Sequence, residues 1–198
     1  MKNLIKIITI CVFVAFLYVG CGKQPTQQMN DAKAAIEAAV KEGADIYGKE
    51  ELKRLNDDLA AVEDEINVQS KKFFKNYKNA EQMLAKIKTE AEALKATIPA
   101  RKEEAKNNAT TAQNEALSAV EEAKNFLGQA PKGKGTRADI EAFKADLKGL
   151  EDSLKEVQQA IDKEDYLSAA DTARSIKEKA IAISDQIKQA IEKVKTKK

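Results

Sequence analysis

The chain has 198 residues, 43% of them hydrophobic, 33% charged and only 5% aromatic, with no tryptophan and no histidine. Its 34 basic and 32 acidic side chains nearly cancel, which argues against nucleic acid as a partner, since such binding needs an excess of Lys and Arg on one face. Without histidine the commonest general base and metal ligand is gone and no Cys–His pair or triad can be built, so the chain reads as a non-enzyme with no catalytic residue, no cofactor and no metal site.

The first element is an address segment. Lys2 and Lys6 precede an apolar run from Ile7 to Val19, interrupted only by Thr9 and ended by Gly20-Cys21. About 13 apolar residues fall short of the roughly 20 that span a bilayer and suit the h-region of an export signal. The competing readings are an ordinary cleaved signal and an uncleaved anchor; no A-x-A-like site is visible near residue 20. On Gly20 and Cys21 the segment resembles a bacterial lipoprotein signal peptide, with Tyr18 standing where an aliphatic residue is usual. The resemblance implies cleavage between Gly20 and Cys21, diacylglycerol on the Cys21 sulfur, and membrane attachment of an exported protein. Two acyl chains anchor stably where one does not.

Cleavage would also remove Cys11, leaving Cys21 as the only cysteine and no intramolecular disulfide. Losing Lys2 and Lys6 brings the mature side chains to 32 basic against 32 acidic. Gly22 follows the cysteine; an aspartate there would imply inner-membrane retention in enteric-type sorting. The resemblance therefore implies an outer-membrane lipoprotein facing the periplasm if the host has two membranes.

The expected layout is a signal peptide over 1–20, the lipidated cysteine and a polar tether over 21–30, and two helical repeats over 31–98 and 99–198. The fold class is all-α: an elongated bundle of about six helices, packed like a coiled coil, from a tandem three-helix duplication. Ala, Lys and Glu dominate after Asn30, as in long helices. Helices are expected at roughly 30–46, 49–73, 75–98, 101–127, 137–161 and 164–196. Gly48 separates the first two. Pro99 disfavours helix at Ile98 and marks a break or kink between the repeats. Gly128 to Arg137 has loop composition, and Asp165 or Asp162 caps the last helix.

Self-similarity carries the duplication. Leu52, Leu55, Leu59, Val62 and Ile66 recur 88 positions later as Ile140, Phe143, Leu147, Leu150 and Leu154. Tyr77, Ala80, Leu84, Ile87, Ala91, Leu94 and Ile98 recur 89 positions later as Tyr166, Ala169, Ala173, Ile176, Ala180, Ile183 and Ile187. Within these helices the apolar spacing alternates three and four, a heptad seam that demands a neighbouring helix. Short turns at 73–76 and 161–165 make antiparallel hairpins. The expected large anchors are Phe73, Tyr77, Leu84, Ile87, Phe143, Leu147, Leu150 and Ile176.

The remaining motifs are weak. The carboxylates Asp57-Asp58 and Glu63-Asp64-Glu65 lack the bent loop of a calcium site and read as solvated surface. Gly133-Lys134-Gly135 follows no strand and belongs to no phosphate-binding motif. Tyr77 and Tyr166 hold equivalent places and are candidate interaction residues, or core residues at a hairpin end. The basic tail Lys193 to Lys198 reads as a solvated end or as a contact for anionic lipid. Lys198 resembles the C-terminal lysine by which the major bacterial envelope lipoprotein is joined to peptidoglycan.

The helical body resembles alanine-rich bacterial envelope lipoproteins with segments such as Asp165-Tyr166-Leu167-Ser168-Ala169-Ala170. That segment is also similar to the second helix of tetratricopeptide repeats, although the period is near 88, not 34. The resemblance implies protein–protein contact. The expected function is that of a lipid-anchored scaffold or adaptor of the cell envelope, held to the membrane by its N-terminal lipid and engaging envelope proteins. The alternatives are a periplasmic chaperone-like protein and a ligand- or lipid-binding helical protein.

Overall fold

The computed structural model describes residues 22–130 and 137–195; the expected signal segment, Cys21 and Lys198 lie outside them. Six helices form among the described residues: α1 (Thr26–Glu42), the single turn α2 (Ala44–Tyr47), α3 (Lys49–Ser70), α4 (Lys78–Gln129), α5 (Arg137–Asp162) and α6 (Tyr166–Lys195). The protein is an all-α helical bundle. Its chain divides into two compact units, the first ending at Ala100 and the second beginning at Arg101.

The first helix ends at Glu42, where Gly43 breaks it, instead of running to 46, and three further boundaries differ from those read in the sequence. The tether is shorter: α1 begins at Thr26, Pro25 is buried before it, and Met29 packs on the core. Proline suits a helix start because its missing N–H would be unpaired there. Second, α4 is helical throughout its 52 residues with Pro99 inside it, so the expected break between repeats is absent. Proline removes one backbone bond, to the carbonyl four residues back, and strong helix formers, Ala100 and Arg101, follow it directly. Third, α3 stops at Ser70, short of residue 73.

In the first unit α1, α3 and the leading part of α4 run up, down and up. Gly43 ends α1 in the left-handed region at φ 111°, its N–H reaching the Ala39 and Val40 carbonyls. A Cβ there would be strained on any L-residue. The backbone then passes close to α4: a Cβ built on Gly48 would stand 2.8 Å from Leu94 Cδ1 and 3.2 Å from Ile98 Cδ1. At the other end of the unit Gly22 lies against the Lys75 carbonyl and the Tyr77 ring. α1 thus starts beside the start of α4, and α3 returns antiparallel to both. Two ion pairs report the same register, Lys33 to Glu63 at 2.6 Å and Arg54 to Glu90 at 3.5 Å. The core gathers Ile36, Leu55, Val62, Leu84, Ile87 and Ile98 with alanines at 32, 39, 80 and 91.

The second unit repeats that course with the rest of α4, α5 and α6. Lys102 pairs with Glu164 and Lys177 with Glu115, both 62 residues apart, so α4 and α6 run parallel. Gln113 bonds Gln158 and Lys124 bonds Glu151, so α5 is antiparallel to α4. The buried side of α4 here is all small: Ala105, Ala109, Ala112, Ala116, Ala119 and Ala123, with Val120 as the largest member. Spacing of four and three keeps these alanines on one stripe. The larger groups come from α5 and α6, among them Leu147, Leu150, Leu154, Val157, Ile176 and Ile187.

Each of the seven residue pairs from Tyr77/Tyr166 to Ile98/Ile187 is buried in its own unit. The earlier matched segment agrees less well. Val62 and Leu150 are both buried, but Leu55 is buried where Phe143 is only half-buried. Phe73, expected as a core anchor, is 89% exposed, because α3 has ended three residues before it and the seam no longer carries its side chain inward. In the earliest segments, which align at a shift of 80 or 81, Ile36 is buried where Leu117 is exposed and Val120 is buried where Val40 is exposed.

Candidate functional site

The connection between α3 and α4, residues 71–77, concentrates the features that the core does not use. Its sequence is Lys71-Lys72-Phe73-Phe74-Lys75-Asn76-Tyr77, with Lys78 opening α4. Polar side chains tie down both ends of the turn. Gln69 Nε2 donates to Glu65 at 2.7 Å while its Oε1 accepts from the Asn76 backbone N–H at 3.4 Å. Asn76 Oδ1 in turn accepts from the Lys78 N–H at 3.1 Å, in the first turn of α4. These bonds satisfy donors that a helix end leaves open.

Between those ends the two phenylalanines are turned outward. Phe73 is 89% and Phe74 75% exposed, and their rings meet edge to face with centroids 5.0 Å apart. Single exposed apolar residues are ordinary on a protein surface; a contiguous exposed aromatic pair calls for a physical account. The surrounding charge is of one sign. No Asp or Glu occurs between Glu65 and Glu81, whereas Lys71, Lys72, Lys75 and Lys78 all fall there. Among the described residues none of these four lysines has a carboxylate partner, in contrast to Lys33, Lys53, Lys102 or Lys124 elsewhere.

Of the two readings of the matched tyrosines, interaction residue or core residue at a hairpin end, the structure agrees with the second. Tyr77 and Tyr166 are 3% and 6% exposed, so both rings are core. The Tyr77 hydroxyl is buried and finds no hydrogen-bond partner among the described residues. Gly20, Cys21 and Lys198 lie outside the described residues. The acidic clusters are engaged at the surface: Asp57 accepts from Lys53, Glu63 pairs with Lys33 and Glu65 accepts from Gln69. Among the described residues no group of three or more Cys, Asp or Glu is placed to hold a metal ion. Also among them, no helix is long and apolar enough to cross a membrane.

The second unit carries an open cleft of about 350 Å³ between the end of α4 and α5, bounded by Leu127, Ile140, Leu147, Lys144, Lys148 and Lys124. Lys124 is already held there by Glu121 and Glu151, and hydrogen bonding to Glu151 is the main cause that raises its pKa. Nearby, the Lys188 ammonium sits 4.2 Å from the Phe126 ring centroid, a cation–π contact that ties α6 to α4.

The chain matches no protein-family model, no curated protein and no solved structure. Its function therefore has to be read from its own residues. Reading heptads alone missed the Phe73–Phe74 pair as a surface feature. The signal that finds it is local: the seam position before Phe73 is Gln69, a polar residue, and an acid-free basic run follows.

Proposed function

We propose that this protein is a lipid-anchored scaffold or adaptor of the bacterial cell envelope and not an enzyme. Cys21 carries the lipid, and the two helical units hold protein-binding faces close to the membrane. In a host with two membranes the destination is the outer membrane, facing the periplasm. The two units derive from a tandem duplication, which the paired burial of seven matched positions supports.

One observation carries the reading. The apolar segment ending in Gly20-Cys21 is followed almost at once by folded protein, since α1 begins at Thr26. At no more than about 3.6 Å per residue, the link from Cys21 to Thr26 reaches under about 20 Å. Such a link holds the bundle against the surface to which Cys21 is attached.

Mass spectrometry of the mature N-terminal peptide from the producing organism tests the anchor. The expected result is a peptide beginning at Cys21 with acyl mass, and loss of the protein from the membrane fraction in Cys21→Ala. An unmodified Cys21 in membrane-bound protein would overturn it. Crosslinking in intact envelopes tests the adaptor role, with recovery of a reproducible protein partner as the expected result.

A further inference from the structure

We infer that the α3–α4 connection is a membrane-docking loop for a bilayer bearing anionic headgroups, with Phe73 and Phe74 inserted at the interface and Lys71, Lys72, Lys75 and Lys78 over the phosphates. This deepens the anchored-scaffold reading and rests on it for the direction from which the membrane approaches.

The loop has the composition of an interfacial anchor. Phenylalanine is among the apolar residues that interfacial elements bury at the headgroup–acyl boundary, and each lysine near an anionic surface adds about 1 kcal/mol of attraction. Four lysines and two exposed phenylalanines fall within eight residues, with no acidic side chain among them. Lysine also suits this task because its stem can lie along apolar surface while the ammonium stays at the polar boundary.

Position selects the bilayer as occupant. Gly22, joined by one peptide bond to the proposed lipid attachment residue, lies against the Lys75 carbonyl in the middle of this loop. A lipid on Cys21 and a docked Phe73–Phe74 pair would therefore engage the same surface from adjacent points. Linking two membrane contacts at short range raises their combined hold above either alone, and a docked loop adds what a lipid on a short tether does not supply, a fixed face turned to the bilayer. The other end of the first unit, where Ile46 is 48% exposed, has no such loop.

The absence of tryptophan from the chain makes the test direct. Phe74→Trp in the full chain places a single tryptophan, excited selectively over the tyrosines, on the loop, and Ile46→Trp places one at the far end of the unit. Both are read on vesicles of phosphatidylcholine alone and of phosphatidylcholine with phosphatidylglycerol, with brominated lipid as quencher. Trp emission at 74 is expected to shift to shorter wavelength and be quenched on the anionic vesicles, while emission at 46 stays that of a solvent-exposed ring. Lys71→Gln with Lys72→Gln should lower the docked-to-undocked ratio about thirtyfold, from about 1 kcal/mol per basic residue.

A chain that floats with vesicles while Trp at 74 remains solvent-exposed would overturn the docking loop and leave the Cys21 anchor standing. A shifted, quenched Trp at 74 in protein whose Cys21 carries no acyl mass would support the loop and remove the anchor. A shift that follows protein concentration without vesicles would assign the loop to a second copy of the chain and overturn the bilayer as its occupant.

Discussion

Lys102 donates from α4 to the carboxylate of Glu164, the only non-glycine residue at positive φ among the described residues, at φ 62°. Glu164 follows α5 in the place that glycine usually takes. The Asp165 N–H bonds the Ala160 carbonyl at 2.9 Å and the Glu164 N–H bonds the Ile161 carbonyl at 2.9 Å, the paired bonds of a helix ending in a left-handed residue. A left-handed backbone costs an L-residue roughly 1–2 kcal/mol, and an exposed ion pair returns little of that. Glu164→Gly is therefore expected to raise the melting temperature by a few degrees. A fall would show that the Lys102 contact outweighs the backbone strain.

The same pair shapes the acid response. Hydrogen bonding from Lys102, then its charge, holds the Glu164 carboxyl below its ordinary 4.5. Lys144 acts likewise on Glu141 and Lys155 on Asp152. A depressed folded-state pKa contributes stability that is complete above the unfolded value and is lost as pH falls through the folded one. Thermal melts from pH 7 downward should stay flat until about pH 5 and then decline, and Glu164→Gln should lessen that decline. A profile of Glu164→Gln parallel to the parent would remove Glu164 from the account.

Glycines separate by what surrounds them. Gly43→Ala places a Cβ at φ 111° near Ile98 Cγ2 and is expected to destabilise by about 1–2 kcal/mol. Gly149, inside α5, has nothing within 4 Å of a built Cβ, so Gly149→Ala should stabilise by about 0.5–1 kcal/mol through helix propensity. Urea titration of the two variants should move the midpoint in opposite directions.

Among the large side chains, Leu147 is 3% exposed, and Leu147→Ala is expected to cost about 2–5 kcal/mol. Lys155, about two turns further along α5, exposed and paired with Asp152 at 2.6 Å, should tolerate alanine with little loss. Equal costs in denaturant melts would contradict the burial pattern of α5.

Tyr77 offers a subtler probe. Its ring is buried and its hydroxyl lacks a partner among the described residues. An unsatisfied buried hydroxyl is costly, and removing it while keeping the shape is neutral or favourable. Tyr77→Phe should stabilise by up to about 1 kcal/mol, whereas Tyr77→Ala should cost about 3–5 kcal/mol through the cavity it leaves. Loss of stability in Tyr77→Phe would reveal a bonded hydroxyl.

Much of this architecture was legible without coordinates. The three-and-four spacing of Leu84, Ile87, Leu147, Leu150 and Ile176 marks the seams, because a helix repeats its face every three to four residues whatever it packs against. Asp165 was readable as a cap, and its Oδ1 accepts from the Ser168 N–H at 3.4 Å. The alanine stripe from Ala105 to Ala123 was harder to see, since alanine is common on exposed and buried helix faces alike and its burial depends on the approach of a neighbour.

Residue type and order alone thus specified that the chain is helical, which side chains face inward along most helices, and that an apolar, cysteine-terminated segment precedes the folded body. These properties are local: they follow from side-chain periodicity, helix propensity and composition. Tertiary structure decided that α4 continues through Pro99, that Phe73 is turned outward beside Phe74 and not into the core, and that Gly22 meets Lys75. Those outcomes depend on where a helix stops and which distant segment arrives beside it, and contacts between residues far apart in sequence determine both.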